Sequence, residues 1–316
     1  MSSPAFLSPL FVYDQQKTTP EQGFFPRAQL FDGVDVEIGF GLGEFLVRQA
    51  CAHSNRYFIG VEQIWERIYK TLKRIQRAQP YPNNISLVAL DATVLFEWLI
   101  APRTIDRIYC LFPCPWPKKK HIKHRLFSRN FLKLLNNRLR LNGTIQLVTD
   151  DEAYFQWVRE ETKEVGFEVE TRMVGPRFAT KFERKWTCAG QEMFFEMVMT
   201  KRDHQEVAIK KGEPVKAYTI DKRFNPQGMT FRDVVGGEIT LVFKQWLFDA
   251  RYQRGEALIL VAEPGMEQYV RVAVIKKEEG WRICRARGQR FFPTDGVARA
   301  IEEVYRQIAT EAGQEG

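Results

Sequence analysis

The sequence has few cysteines and no long apolar run. Its five cysteines, in 316 residues, are an odd number spread along the chain, so they do not form the dense disulfide framework of a small secreted domain. No apolar run approaches the roughly 20 residues that span a bilayer. Residues 1–20 also lack the basic stretch and apolar core of a secretory signal. We therefore expect a cytoplasmic protein that makes no contact with a membrane.

Acidic residues are absent from one segment of the chain. Lysine and arginine outnumber aspartate and glutamate by only 47 to 39, yet the segment from residue 118 to residue 140 contains cations and no acid. Clustered cations displace the counterions that condense on phosphates, so this segment predicts a polyanionic partner. A solvated helix face is the alternative interpretation. The cations are Lys118, Lys119, Lys120, Lys123, Arg125, Arg129, Lys133, Arg138 and Arg140.

Short β-branched or apolar runs alternate with segments of helical period between residues 34 and 200. This alternation predicts a doubly wound α/β domain with a parallel sheet. We expect strands at residues 34–38, 57–61, 85–90, 105–112, 144–149, 167–171 and 194–200. Helices are expected at residues 44–53, 64–78, 126–141 and 151–165.

The alternation stops after residue 203, and the length of the chain is typical of two domains. Strands are expected at residues 207–217, 238–243, 258–261, 269–275 and 281–285, followed by a helix at 297–310. We therefore predict an N-terminal arm over residues 1–30, the α/β domain over 31–203 and a small α+β domain over 204–316.

A glycine-rich loop follows the first predicted strand. Gly39, Gly41 and Gly43 alternate with apolar residues between Glu37 and Glu44, at the sheet edge where α/β proteins bind ligands. A dinucleotide fingerprint needs glycine or alanine at position 44, because a carboxylate there opposes a pyrophosphate on the helix N-terminus. S-adenosylmethionine, with its cationic sulfonium and amino-acid end, fits these residues better. A purely structural turn is the alternative.

The next two strands also end in carboxylates. Glu62 is placed to accept hydrogen bonds from ribose hydroxyls, and Asp91, which precedes Ala92, is placed to accept one from an adenine amino group. Three acidic strand ends on one edge favour a nucleoside cofactor over a structural turn. The residues expected to bind it are Glu37, Gly39, Gly41, Gly43, Glu62, Asp91 and Ala92.

The fourth predicted strand runs into a loop with three prolines, which hold Trp116 and Lys118 at fixed positions. This loop resembles that of the bacterial tRNA (guanine-N7)-methyltransferases, whose pattern is an aspartate between two prolines, then Trp-Pro-Lys-Lys and a basic stretch. The resemblance extends over about residues 34–200. It includes the glycine loop, Gly60, Val61, Glu62, Asp91, Ala92, Thr149, Asp150, Tyr154, Thr180, Lys181, Phe182 and Glu183.

The resemblance implies a Rossmann-like class I methyltransferase domain that transfers a methyl group from S-adenosylmethionine to N7 of a guanine in tRNA, its partner. It also implies cofactor contacts by Glu37, Glu62 and Asp91. Guanine carries N1 and N2 donors, which suit carboxylates such as Asp150 and Glu183; a helix N-cap is the alternative role for Asp150. The substrate contacts implied are Lys118, Asp150, Tyr154, Thr180, Lys181, Phe182 and Glu183.

Cys114 stands where the family has its loop aspartate, a residue placed by the resemblance against both cofactor and target. A thiol is a weaker hydrogen-bond partner than a carboxylate and lacks its charge. Because guanine N7 carries a free lone pair, attack through it requires no prior loss of a proton. Cys114 is therefore the candidate catalytic residue, expected to tune the rate, and also a candidate cofactor contact.

Three other interpretations of Cys114 and its neighbours stay open. The chain is then a methyltransferase with a shifted RNA target, a catalytically weak tRNA-binding protein that retains the fold, or, as a minor alternative, a cytosine methyltransferase with a cysteine nucleophile. No metal is expected, because the spacing of Cys110, Cys114, His121 and His124 fits no standard zinc pattern and the adjacent lysines repel a dication.

The C-terminal domain has no glycine-rich cofactor loop and no recognisable metal cluster. We expect it to add RNA contacts; a structural or dimerising role is the alternative, and the sequence does not determine the oligomeric state. The cations that support RNA contact are Lys276, Lys277, Arg282, Arg285, Arg287 and Arg290.

Overall fold

A computed structural model describes residues 25–208, 215–221, 225–289 and 291–314, so most of the predicted N-terminal arm lies outside the described residues. Of the arm, Phe25 is buried and Pro26–Leu30 forms one 3-10 helix. The chain divides into two compact units; after the first sheet, the described residues up to 208 belong to the first unit and those from 215 onward to the second.

The first unit contains a seven-stranded sheet. Its strands are β1 (Gly33–Ile38), β2 (Arg56–Val61), β3 (Ile85–Val88), β4 (Ile105–Leu111), β5 (Leu139–Thr149), β6 (Phe167–Val174) and β7 (Phe194–Lys201). They lie in the order β3-β2-β1-β4-β5-β7-β6, and β7 runs antiparallel to both of its neighbours. The predicted doubly wound α/β fold is confirmed, with one antiparallel strand in an otherwise parallel sheet.

Helices connect these strands. They are α1 (Glu44–Ala52), α2 (Trp65–Arg77), α3 (Ala92–Val94, continued by a π-helical turn over Leu95–Leu99), α4 (Arg129–Arg138), α5 (Glu152–Glu161) and α6 (Lys181–Cys188). The side chains of Ser128, Asp151 and Thr180 cap α4, α5 and α6 by accepting backbone N–H bonds. The pattern analysis missed α3 and α6, which are too short to show a helical period.

Helix α4 ends earlier than predicted. It stops at Arg138 instead of residue 141, and the next residue, Leu139, already pairs with Ile105 in the sheet. The buried ammonium of Lys201 donates to the carbonyls of Asn136 and Leu139, both at 2.7 Å. Those bonds satisfy carbonyls that a longer helix would have used, so the chain enters β5 five residues before the predicted start.

The order of the strands places a switch point between β1 and β4. The chain winds from β1 through β2 to β3 on one side, and from β4 to the remaining strands on the other. Loops that leave the carboxyl ends of β1 and β4 therefore diverge and open a crevice, which is where α/β sheets bind ligands. The glycine loop and the proline loop are these two loops.

The second unit is an antiparallel sheet covered on one face by a helix. Its strands are β8 (Tyr218–Ile220), β9 (Thr240–Asp249), β10 (Arg254–Glu263), β11 (Met266–Lys277) and β12 (Gly280–Arg285), in the order β8-β12-β11-β10-β9. The helix α7 (Asp295–Gln314) packs Val297, Ile301, Val304 and Ile308 against alternate residues of the strands. A small α+β domain is thus confirmed.

The strand predicted at residues 207–217 is wrong where the structure describes it. Residues 207, 208 and 215–217 form no strand, and 209–214 lie outside the described residues. Residues 204 and 205 instead belong to the first unit: Asn137 donates to the Gln205 carbonyl at 2.8 Å, and the Gln205 amide donates to Asn136 at 2.9 Å. These bonds explain why the division lies beyond the predicted boundary at 203/204.

No helix within the described ranges is both long and apolar enough to cross a membrane. All five cysteines carry free thiols, and Cys110 is buried whereas Cys114 and Cys188 are exposed.

Candidate active site

The glycine loop turns the chain sharply from β1 into α1. Gly39, Gly41 and Gly43 have φ angles of 69°, 55° and 65°, a region that L side chains rarely adopt. The Gly39 amide donates to the Val61 carbonyl at 2.8 Å, and the Gly43 amide donates to the Phe40 carbonyl at 2.8 Å. These bonds fix the loop at the carboxyl ends of β1 and β2.

The three glycines serve different purposes. A Cβ atom on Gly43 would lie 2.2 Å from Cγ2 of Thr71, so Gly43 is required by close packing against α2. A Cβ atom on Gly39 would meet nothing within 4 Å, and one on Gly41 would meet only a backbone oxygen at 3.9 Å. Gly39 and Gly41 therefore face open space. The cofactor contact by Gly43 stays a prediction, and the structure adds a packing role for this residue.

Glu44, the residue that departs from a dinucleotide fingerprint, ties the loop to two helices. Its carboxylate pairs with Arg184 of α6 and, at 3.6 Å, with Arg74 of α2. Arg74 also donates to the Leu42 carbonyl at 3.0 Å. A carboxylate in the first turn also complements the helix dipole. Sequence reasoning identified Glu44 as unusual but missed both arginines, because they lie 30 and 140 residues away.

Glu37 is a buried carboxylate with an unused oxygen. It is 4% exposed, and its Oε2 accepts no hydrogen bond from any residue that the structure describes. Burial raises its pKa well above the usual carboxyl range, helped by the nearby charges of Glu44 and Glu62 and opposed by Arg48 and the Leu46 amide. A cationic ligand would relieve this cost. Glu37 and the open glycines therefore fit a cofactor with a sulfonium and an ammonium group.

Glu62 braces the glycine loop. Its carboxylate accepts bonds from the amides of Gly41 at 3.2 Å, Gln63 at 3.0 Å and Ile64 at 3.1 Å, and from Arg67 at 3.3 Å. A carboxylate has room for about four hydrogen bonds. A ribose contact, which stays a prediction, would therefore have to displace the long bond from Arg67.

Asp91 begins α3 and is half-buried. One carboxylate oxygen accepts a bond from the Thr93 amide at 2.7 Å, and the other accepts one from Gln63 at 2.6 Å. Ala92 is buried directly after it. The adenine contact predicted for Asp91 is not tested by this arrangement. The carboxylate lies just after the end of β3 and is bound by Gln63, the residue that follows Glu62.

A cavity of about 260 Å³ joins the glycine loop to the start of α6. Glu37, Gly39 and Gly41 line one side, and Thr180, Lys181 and Phe182 line the other. Its volume is just below the usual range of about 300–1,000 Å³ for small-molecule sites. The structure thus brings together two groups of predicted residues that lie 140 residues apart in the sequence.

Glu183 does not face this cavity. It is 2% exposed, and its carboxylate accepts bonds from the amides of Arg177 at 2.8 Å, Phe178 at 3.0 Å and Ala179. Together with Thr180 it forms a capping box for α6. Its carboxylate shapes the loop that presents Thr180, and the contact of Glu183 with guanine stays a prediction.

A buried acid on β7 anchors the same loop. Glu196 has no exposed surface and pairs with Arg172 and Arg177, while Gln146 donates to it as well. Burial alone would raise the pKa of Glu196, but these three partners outweigh it and hold the pKa below its usual value. On the opposite side Arg48 donates to the Phe178 carbonyl at 2.5 Å. Sequence reasoning missed this set because no motif contains it.

The side chain of Arg125 supports the proline loop. Arg125 donates to the Pro115 carbonyl at 3.0 Å and lies over the rings of Trp157 and Tyr154, at 5.1 Å and 5.7 Å from their centroids. Trp116, at φ 45°, is 36% exposed and stacks on His121 at 5.6 Å. Trp116 is therefore packed locally against histidine.

Cys114 and Lys118 are exposed on this loop and are not among the residues that line the cavity. Their contacts with cofactor and substrate stay predictions. The described residues contain no group of three or more His, Cys, Asp or Glu side chains able to hold a metal.

Two further candidates lie at the end of β5. The helix α5 is capped by Asp151, not by Asp150, so the N-cap role considered for Asp150 is wrong. The Asp150 carboxylate is half-buried, and burial raises its pKa. Tyr154 is fully buried beneath Arg125, and burial also raises its pKa, so a direct contact of its ring with substrate is not supported.

The basic segment over residues 118–140 is not one continuous surface. Arg138 is buried and donates to the Phe96 carbonyl at 2.7 Å, while Arg140 pairs with Asp106 at 3.2 Å. Residues 118, 119, 120 and 123 are the exposed lysines near the proline loop. The predicted contact with a polyanion is therefore restricted to the first part of the segment, which carries these four lysines.

A doubly wound sheet with a glycine loop at its switch point and acids at successive strand ends is the arrangement of a class I methyltransferase, whose methyl donor is S-adenosylmethionine. A family model described as a putative methyltransferase matches residues 32–196. The tRNA (guanine-N(7)-)-methyltransferase of Chlorobium phaeobacteroides is 43% identical over 173 residues, which are 55% of this chain and 84% of that protein. The chain therefore belongs to the bacterial tRNA (guanine-N7)-methyltransferase family.

Two relatives of the same name match over more of the chain. The Thermotoga maritima protein is 26% identical over 289 residues, covering 87% of this chain and 89% of the relative. The Aquifex aeolicus protein is 28% identical over 287 residues, covering 87% and 94%. Matches of this length extend into the second unit. The C-terminal domain, which lies outside the resemblance over about residues 34–200, is thus included in the matches with these relatives.

The different roles of the glycines predict different effects of one substitution. Gly43→Ala should lower the free energy of unfolding by about 2 kcal/mol or more, because it adds a clash with Thr71 to backbone strain. Gly39→Ala carries similar strain without a clash, and should mainly weaken S-adenosylmethionine binding. Chemical denaturation and calorimetry measure the two effects. Equal losses of stability with unchanged cofactor affinity would contradict the assignment.

The raised pKa of Glu37 predicts that cofactor affinity depends on pH. The ionised carboxylate attracts a cation, so affinity should fall as pH is lowered through that raised pKa. Glu37→Gln should weaken binding at neutral pH by about 1–3 kcal/mol and make the profile flat between about pH 5 and pH 8. Calorimetric titration across this range measures both.

The same variant has a second expected effect. A carboxyl whose pKa is raised by folding stabilises the fold below its unfolded pKa and loses that contribution as pH rises through its folded pKa. In the absence of cofactor, the free energy of unfolding of the Glu37→Gln variant at neutral pH should therefore be no lower than that of the parent. A marked loss of stability would show that the Glu37 carboxylate stabilises the folded core, and would contradict its assignment as a ligand contact.

Proposed function

We propose that this protein transfers a methyl group from S-adenosylmethionine to N7 of a guanine in tRNA. The observation that carries the proposal is the shared cavity, in which the Glu37 carboxylate, with one unpartnered oxygen, and the open glycines face Thr180, Lys181 and Phe182. Membership of the tRNA (guanine-N7)-methyltransferase family supports the choice of substrate.

The protein's part in this reaction is to bind the cofactor and the guanine and to orient them for transfer. The cofactor, when bound, supplies an electrophilic methyl group on a sulfonium. Glu37 neutralises positive charge at one side of the cavity, and the absence of side chains at Gly39 and Gly41 lets a ligand approach the backbone. Alignment of donor and acceptor supplies much of the rate in such a transfer.

The start of α6 is the proposed guanosine site. Phe182 lines the cavity and is 38% exposed, so its ring is available to stack on a base. Thr180 and Lys181 lie beside it, held by Glu183 and, through Arg177, by Glu196. Asp150, whose carboxylate receives no bond from the described side chains, is proposed as a further acceptor for guanine donors.

No group has to remove a proton before the transfer. Guanine N7 attacks through its lone pair, and positive charge develops on the purine as the new bond forms. A residue near the ring therefore contributes by stabilising charge. Cys114 is proposed for this position, where its thiol contributes less than the carboxylate found in the family pattern.

The exposed lysines at 118, 119, 120 and 123 are proposed to contact tRNA phosphates beside the target base. Cytoplasmic location, expected from the cysteine content, stays a prediction.

The proposal predicts transfer of labelled methyl groups from S-adenosylmethionine to total tRNA, recovered as 7-methylguanosine after digestion to nucleosides. Recovery of a different methylated base would support the shifted-target interpretation. Binding of tRNA and cofactor without transfer would support the catalytically weak one. The Glu37→Gln variant should lose most of the transfer at a cofactor concentration that saturates the parent.

The Cys114→Asp variant should maintain or raise the rate, because a carboxylate stabilises the developing cationic purine. We expect a change of up to about tenfold in kcat, equivalent to about 1.4 kcal/mol. Cys114→Asn, of equal shape without the charge, is the control. Cofactor affinity should stay within about twofold in both variants. If Cys114→Asp abolishes turnover while the parent methylates another base, the assignment to guanine N7 is wrong.

A further inference from the structure

The second unit contains a larger cavity on the sheet face opposite α7. Its volume is about 430 Å³, and no acidic residue of the described part of the chain lines it. Six cations line it, and we call it the basic cavity. They are Lys216, Arg254, Lys277, Arg282, Arg285 and Arg287.

Strand pairing brings these cations together. Arg254 of β10 lies directly opposite Ile275 of β11, which lies opposite Arg282 of β12, so the three share one row across the sheet. In the next row on the same face, Ala273 lies opposite Cys284. Residues directly opposite each other project to the same face. Ala273, Ile275 and Cys284 thus form a small apolar floor with cations around it.

The positive charge is only partly balanced. Arg254 pairs with Glu256 at 2.6 Å, but Lys277 and Arg282 have no acidic partner among the residues the structure describes. Glu278 and Glu279 lie in the adjacent turn and do not line the cavity. Cations held at close range repel one another, and a polyanion that releases condensed counterions removes this cost.

The shape of the floor indicates which part of a nucleic acid fits. None of the described residues that line the cavity is aromatic, so these residues offer no platform for base stacking. Small apolar residues surrounded by lysine and arginine suit a ribose and its phosphates. Arginine and lysine on such a surface contact phosphates without reading sequence.

We propose that the basic cavity binds the sugar-phosphate backbone of the tRNA substrate. The inference rests on the proposed function for the identity of the RNA, and it assigns the contact to one face of the second sheet. The chain then holds tRNA through two separate sets of residues, the lysines near the proline loop and the basic cavity.

The structure changes the set of cations that the sequence grouped together. Lys276 lies over the Trp281 ring at 5.2 Å, on the face covered by α7, and Arg290 lies outside the described residues. Lys216 and Arg254 join the set although they come from other segments.

The test uses the full chain with the double substitution Lys277→Ala and Arg282→Ala. Affinity for tRNA should fall about 10- to 100-fold at moderate salt, and the slope of log affinity against log salt should fall by about 2, one for each lost phosphate contact. The KM for tRNA should rise with kcat unchanged. Cofactor affinity should equal that of the parent, because the catalytic cavity is intact.

Two controls separate charge at this face from charge in general. Arg306→Ala removes a cation of α7, on the opposite face of the sheet, and should leave affinity and slope unchanged. The pair Lys277→Arg and Arg282→Lys keeps both charges and should restore most of the affinity.

Three results overturn the inference. They are parent-like affinity and slope in the double alanine variant, an equal loss in Arg306→Ala, and stronger competition for the cavity by polyglutamate than by tRNA, which would indicate an acidic protein partner. A parent that binds tRNA through the cavity but transfers no methyl group would instead overturn the proposed function alone.

Discussion

One buried carboxylate organises the catalytic unit. All six residues of β1 are buried, and this strand carries Glu37 to the switch point of the sheet with one oxygen unpartnered. Such a charge is costly in the interior of a protein unless something pairs with it. The open space above Gly39 and Gly41 is the place where a cationic cofactor can do so. The remainder of the site holds this arrangement in position.

Most acids around the cavity form hydrogen bonds or ion pairs that hold the backbone in place. Glu44 ties the glycine loop to α2 and α6, Glu62 binds amides of the loop and of the two residues that precede α2, and Glu183 binds three amides ahead of α6. Glu196 holds the same loop through Arg177. Each of these carboxylates is satisfied by fixed donors, which makes the loops rigid and leaves Glu37 as the distinct one.

Local patterns in the sequence predicted much of the architecture. Alternating apolar runs located all seven strands of the first sheet, and the order of acidic strand ends predicted the ligand edge. The errors arose where a distant residue decided the outcome: Lys201 donates to the carbonyls of Asn136 and Leu139 at the point where α4 ends, and Thr71 packs against Gly43. The short helix α6 had no period to detect.

The sequence by itself determined the fold class, the family resemblance and the residue types at the strand ends, because these depend on spacing along the chain. Only the tertiary structure determined which of these carboxylates keeps an oxygen without a hydrogen-bond partner. Glu37 and Glu183 are both buried glutamates near one cavity, yet Glu183 meets three amides and Glu37 keeps an unpartnered oxygen. The basic cavity was decided in the same way, since strand register, and not sequence proximity, sets Arg254 and Arg282 on one face. Burial and hydrogen-bond partners come from residues far apart in the chain, and no local pattern contains them.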